Sequence, residues 1–342
     1  MVWVWDVPGL FGPHRPLPLR VRHLARESTG SFVNRLAHAN GLELQDFLER
    51  VGQGTRSTVK PHMTEMYVNR AGREYLSVLA GRPAEELRWA LPSLGDRFLE
   101  PDDEAAVWRW RWSPKEGQVL RICDLCAARR GIREGAWFMW PDSWWLCVEH
   151  GRWTDDAGGE NPPVIRLGAV PEVLSAHRQR LRLERRLGAG AGGLFADAFQ
   201  VVAQWWMYMP EALVWIQRAW GVGLEAREMR GIPLVTYPEA VALARAMVVF
   251  EREGRRGVRD RQYWLEAEVK PLVDSWALEW DACRVPLLEW LTLHSAERAE
   301  ARGKGARSGQ LTLSVGHRRA AEQSGGVFQR SCLPWHLGSY VV

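Results

Sequence analysis

A chain of 342 residues with 46% apolar and 25% charged side chains has room for two or three domains and is too apolar to be disordered throughout. Lys and Arg exceed Asp and Glu by four (45 − 41), a mildly basic balance that permits contact with phosphates without demanding it. No run approaches the roughly 18 clean apolar residues of a membrane span, and the opening MVWVWDVPGLFG lacks the basic segment of a secretory signal. The expected location is cytoplasmic, nucleoid association included, with no membrane partner. Five Cys is an odd number for a disulfide framework, so the thiols are expected reduced and free to hold metal.

In chain order, residues 1–20 are Pro-rich and irregular. Ser28 or Thr29 caps a first helix with the apolar face Phe32, Val33, Leu36 and Ala37, and Asn40-Gly41 stops it. A second short helix carries Leu44, Phe47 and Leu48 and ends near Gly52. After a polar loop, a third helix is expected from Thr64, carrying Tyr67, Ala71, Tyr75 and Leu79. Gly81 ends it, and Pro83 opens a fourth helix through Leu91. Short helices joined by tight turns read as a helix-turn-helix-like bundle, with no recognition helix singled out. Trp108, Trp110 and Trp112 alternate as on a strand, and Gln118 to Ile122 form the next one. A second helical region is expected over 170–300, broken at Gly188–Gly193, Gly221–Gly223, Gly231–Pro238 and Gly254–Gly257. From 301 the composition turns to Gly, Ser and Arg and reads as a basic, largely disordered tail. The fold class is therefore mainly α. An N-terminal module (1–115) precedes a small zinc ribbon (116–155), a linker (156–169), a C-terminal helical domain (170–300) and the tail (301–342).

The strongest chemical signal is Cys123-x2-Cys126, twenty residues (127–146), then Cys147-x2-His150. A C-x2-C pair on a tight turn aims two thiolates at one point, and a facing x2 pair completes a tetrahedron suited to Zn²⁺. The intervening residues fit a ribbon of strand, turn and strand: Ala136 to Trp140, the turn Pro141-Asp142-Ser143, then Trp144 to Leu146. A unit of about 40 residues cannot hold itself by core alone, so the metal supplies folding energy. Four protein ligands leave no open position, and the zinc is read as structural.

The stretch Leu17-Pro18-Leu19, Glu27-Ser28, Ser31-Phe32-Val33-Asn34-Arg35-Leu36-Ala37 and Asn40-Gly41, taken with Cys123, Cys126, Trp137, Trp140, Cys147 and His150, resembles the TniQ family. That family includes the TnsD target-selection proteins. The resemblance covers about residues 15–155. It implies a helix-turn-helix plus zinc-finger module that binds DNA or a nucleoprotein target and recruits an AAA+ ATPase of a transposition complex. After about residue 168 the chain departs from the fuller TnsD pattern.

Candidate phosphate contacts are Arg20, Arg22, Arg35, Arg56, Lys60 and Arg70 in the N-terminal module, and Arg178, Arg182 and Arg185, which share one helix face by spacing. The bland reading of that face is a solvated surface that salt-bridges to acids. The run 252–261 and the tail, with Arg302, Lys304, Arg307, Arg318 and Arg319, are further nonspecific candidates. The Trp cluster from 108 to 153 reads as the small core the ribbon otherwise lacks, ahead of a base-stacking platform. Cys283 and Cys332 stand apart without metal spacing and read as a buried thiol and a tail thiol. No phosphate-binding loop, G-x-S-x-G or H-E-x-x-H occurs, and the glycine string at 188–193 follows no expected strand. The functional expectation is a non-enzymatic, zinc-containing DNA target-selection adaptor for transposition and DNA recombination, without a small-molecule substrate. The alternative is a protein–protein scaffold or transcription regulator with no role in transposition.

Overall fold

The computed structural model describes residues 12–54, 60–101, 105–111, 114–115, 117–155, 162–255 and 260–303. The described residues are mainly helical, with short strands confined to the first half. Two compact units emerge: Met1–Trp145 with Thr154–Pro163, and Leu146–Trp153 with Val164–Val342.

In the first unit, α1 (Thr29–Ala39) and α2 (Leu44–Val51) form where the apolar spacing places them. Ser28 caps α1 by accepting a hydrogen bond from the Ser31 N–H, and Gly41 takes the left-handed φ of 66° that turns the chain toward α2. A short β1 (Gln53–Gly54) follows, and then β2 (Glu65–Val68). The third helix, expected from Thr64, instead begins later, as α3 (Arg70–Ala80). Residues 65–68 are all buried and pair antiparallel with β3 (Val107–Arg111), Glu65 opposite Arg111 and Val68 opposite Trp108. Asn69 makes the switch from strand to helix. Its carboxamide oxygen accepts from the Gly72 N–H and from the Val107 N–H, capping α3 and gripping β3 at once. α4 (Ala84–Ala90) follows Pro83 as expected. The core between these elements holds Phe32, Leu36, Phe47, Leu76, Leu87, Leu91 and Trp108. Trp112 lies outside the described residues.

A second sheet pairs β4 (Gln118–Arg121) with β5 (Trp137–Trp140), antiparallel, with Gln118 opposite Trp140. The short helix α5 (Asp124–Ala128) lies between them in sequence. β6 (Trp144–Cys147), β7 (Arg152–Asp155) and β8 (Ile165–Arg166) make a third sheet. The two strands between the Cys pairs thus join different sheets: β5 turns back to β4, and β6 turns forward to β7. Part of the stretch expected as a linker carries β8, with Ile165 and Leu167 buried.

The second unit is helical: α6 (Pro171–Leu187), α7 (Ala189–Tyr208), α8 (Leu213–Gly221), the single turn α9 (Ile232–Val235) and α10 (Tyr237–Arg255). Then come α11 (Arg261–Tyr263), a π-turn over Trp264–Val269, α12 (Lys270–Ser275) and α13 (Trp280–Gly303). The expected break at Gly188–Gly193 shrinks to Gly188 alone, which has a φ of 66°. The remaining glycines form the first turns of α7, because Ala191 to Gln200 are buried without interruption and packing overrides poor helix propensity. Four fully buried tryptophans anchor the described helices of this unit, and three of them bind their indole N–H groups inside it: Trp205 to the Cys283 carbonyl, Trp264 to the Ala246 carbonyl and Trp290 to the Asp197 carboxylate. Trp215 is the fourth. Arg218 is buried on Glu239 by two hydrogen bonds of 2.9 and 3.0 Å and on Glu172 by a third. No single helix among the described residues is long and apolar enough to cross a membrane. The tail beyond 303 lies outside the described residues, as does the core of the 252–261 run.

Candidate metal centre

Local structure aims each ligand. Cys123 caps the N-terminus of α5, where its carbonyl accepts from the Ala127 N–H. Cys126 stands three residues on, so helical spacing stacks the two sulfurs on one face. Gly131, at a φ of 79°, turns the chain back, and the Ile122 N–H and Ala136 carbonyl close the loop. β6 delivers Cys147, and the turn ending at Gly151 (φ 56°) folds His150 back on it: Cys147 Sγ and His150 Nδ1 are 3.4 Å apart. The ligand atoms of Cys123, Cys126, Cys147 and His150 all lie within 4.8 Å of one another, a group that can hold a metal ion. A tetrahedral site with metal–sulfur bonds of about 2.3 Å needs edges of about 3.8 Å, so these donors fit one ion. Cys123 and Cys147 are buried while Cys126 and His150 are half-buried.

The surrounding tryptophans are core. Trp108, Trp137, Trp144 and Trp153 are buried, and Phe138 lies against both Trp140 and Trp145 at ring distances of 5.5 and 5.3 Å. Cys283 is buried, and burial pushes its thiol up to about 12. Cys332 lies outside the described residues.

The N-terminal motif residues turn out to be the fastening of this segment. Glu27 is fully buried and takes the Arg35 guanidinium through two bonds of 2.8 Å, the Ser31 hydroxyl at 3.0 Å and the Leu24 N–H at 2.9 Å. The Ser28 N–H donates to the Trp137 carbonyl, the Trp137 N–H to the Ser31 hydroxyl, and the Met139 N–H to the Arg26 carbonyl. The motif therefore stitches α1 onto β5. Asn40 likewise holds Leu19 by both backbone groups.

This corrects the reading of Arg35 as a phosphate contact: at 4% exposure it belongs to a core ion pair. Its sequence signal was the buried-face neighbour Leu36 and the acid eight residues back. Arg20, Arg22, Lys60 and Arg70 are exposed, and Arg56 lies outside the described residues. Arg178, Arg182 and Arg185 are exposed along α6. The structure does not gather these two sets of cations into one unit. Glu65, which sequence reading passed over, is fully buried. It accepts from the Thr29 N–H at 2.8 Å and the Ser93 hydroxyl at 2.5 Å, and burial raises its carboxyl to about 7. Only a strand assignment for 65–68 would have pointed it inward.

Fold and site together define a mainly helical protein with a Cys3His group that can hold a metal ion. Residues 18–152 match the family model TniQ, and this stretch of the chain is a TniQ domain. No curated protein and no solved structure matches the chain.

Proposed function

We propose that the protein is a zinc-containing, non-catalytic target-selection adaptor that links DNA or a nucleoprotein target to an AAA+ ATPase of a transposition complex. The observation that carries this reading is the extent of the TniQ match, which spans the fastening motif and all four members of the metal group. Three thiolates and one imidazole at tetrahedral spacing favour Zn²⁺ over the hard cations. Because the protein fills every position, the ion would act by holding β4, α5 and β6 together. Exposed Arg20, Arg22, Lys60 and Arg70 are the proposed phosphate contacts of this domain.

A gel-shift assay over a salt series tests the DNA reading. The expected result is one zinc per chain and binding that weakens linearly in log–log form with salt. A zinc-loaded protein without salt-sensitive binding would overturn it.

A second reading, a protein–protein scaffold or transcription regulator outside transposition, draws on exposed apolar side chains: Trp89 at 83%, Leu213 at 70% and Trp220 at 69%. Capture of a purified AAA+ ATPase without DNA, by a protein that does not bind DNA itself, would favour that reading.

A further inference from the structure

Two packed helices of the second unit expose charge of one sign. On α6, the exposed positions after the first turn are Ser175, Arg178, Leu181, Arg182, Arg185 and Arg186. Its two acids are engaged elsewhere: Glu172 with Arg218, and Glu184 with the buried Arg180. On α10, over 237–252, the exposed positions are Arg245 and Arg252, seven residues apart and so on one face. Over the same stretch the acids point inward, Glu239 to Arg218 and Glu251 to His294. The two helices pack together, and the Arg245 guanidinium donates to Gln179 at 3.0 Å, which sets it beside the α6 row. The other elements packed on α6 are α7, whose one acid, Asp197, is buried on Trp290, and the turn Leu167–Ala169, which has no charge. His177 contributes no charge, since burial and then Arg180 push it down to about 4.

A solvated face held by surface salt bridges mixes both signs. Over 175–187 and 237–252 the exposed charges are arginine alone; the nearest exposed acids are Glu172 in the first turn of α6 and Glu266 on the π-turn packed on α10. Arg178 to Arg185 span about 10 Å along the helix axis at 1.5 Å per residue. Each strand of duplex DNA carries one charge per about 3.4 Å of duplex axis, so this row is long enough to face two or three phosphates.

We infer that the α6–α10 arginine face is a sequence-independent seat for the phosphodiester backbone of duplex DNA, lying outside the TniQ domain. The inference rests on the reading of DNA as the partner, and supplies it with a second anchoring surface. Arginine suits the task because its fork of donors grips phosphate oxygens in pairs.

The test is a salt series on the full chain with two 30-base-pair duplexes of unrelated sequence. R178Q/R182Q/R185Q is compared with R178K/R182K/R185K and with the unaltered protein. The glutamine variant is expected to flatten the log–log salt slope by about 2.7, from 0.9 per phosphate contact, equally for both duplexes. The lysine variant keeps the slope. R245Q flattens it by about 0.9. Circular dichroism confirms that each variant is folded. Unaltered protein that binds with a steep slope, and a glutamine variant that matches it, would overturn the inference and leave the adaptor reading standing. Unaltered protein that binds no DNA would overturn both. A loss confined to double-stranded RNA or to polyglutamate, with DNA binding intact, would also overturn it.

Discussion

The metal-bearing segment 117–155 and the helix α7 are both rich in buried aromatic side chains, yet they are held in different ways. In α7, Ala191 to Gln200 form an unbroken buried run, closed by Trp205 and Trp206. Buried apolar area is its main support, at about 25 cal/mol per Å² removed from water, with the Asp197–Trp290 and Trp205–Cys283 hydrogen bonds added to it. The 117–155 segment has four strands of four residues and one helix of five, each too short to persist unaided. It is pinned by directed polar bonds from Glu27, Ser28 and Ser31, and by four side chains that can share one ion. The lesson is that tryptophan content says little about stability until the length of the elements that carry it is known.

The largest expected effect breaks the comparison at its weaker side. Removal of the metal by a strong chelator, or C123S/C147S, forfeits a binding term of about 10–16 kcal/mol seen in structural zinc units. Limited trypsin digestion should then cut within 117–155 while the far-UV helical signal of the second unit persists. Equal protease resistance with and without metal would show that aromatic packing suffices in both regions. Next in size is Arg35→Ala, which leaves the Glu27 carboxylate buried without its cation and should cost about 3–5 kcal/mol in urea unfolding. If Arg35→Ala instead left stability unchanged and reduced DNA affinity, the fastening role of the motif would be wrong.

Glu65 gives a pH-dependent version. A carboxyl raised from 4.5 to about 7 favours the fold most when protonated. Its contribution is therefore fully present below pH 4.5 and is lost as pH rises to about 7, a span worth about 3 kcal/mol at most. Glu65→Gln keeps an acceptor for Thr29 and Ser93, and should raise the melting temperature at pH 8 relative to the unaltered protein while changing it little at pH 5. A melting temperature with the same pH profile in both proteins would contradict this. The smallest effect is Ser28→Ala, which removes the α1 cap and should cost about 1 kcal/mol by denaturant titration. A loss well beyond that would mean that the cap also orders β5.

Helices α1, α2 and α4, strands β3 to β6 and the Cys3His group were legible because their signals are local: caps, apolar spacing, Pro and Gly stops, and two x2 pairs. β2 was not, since its four residues are a strand only against Trp108 to Arg111, forty residues away. Nor was the persistence of α7 through its glycines.

What the sequence determined by itself was the set of donors for one ion and the order of short helices, because both depend on spacings of a few residues. What the tertiary structure decided was which charges are buried and which face water. Arg35 went inward to Glu27, while Arg178, Arg182, Arg185 and Arg245 stayed outside and the acids Glu184 and Glu239 paired with the buried Arg180 and Arg218. Charge placement depends on partners distant along the chain, and a buried ion needs its counter-ion within bonding distance, which no local pattern specifies.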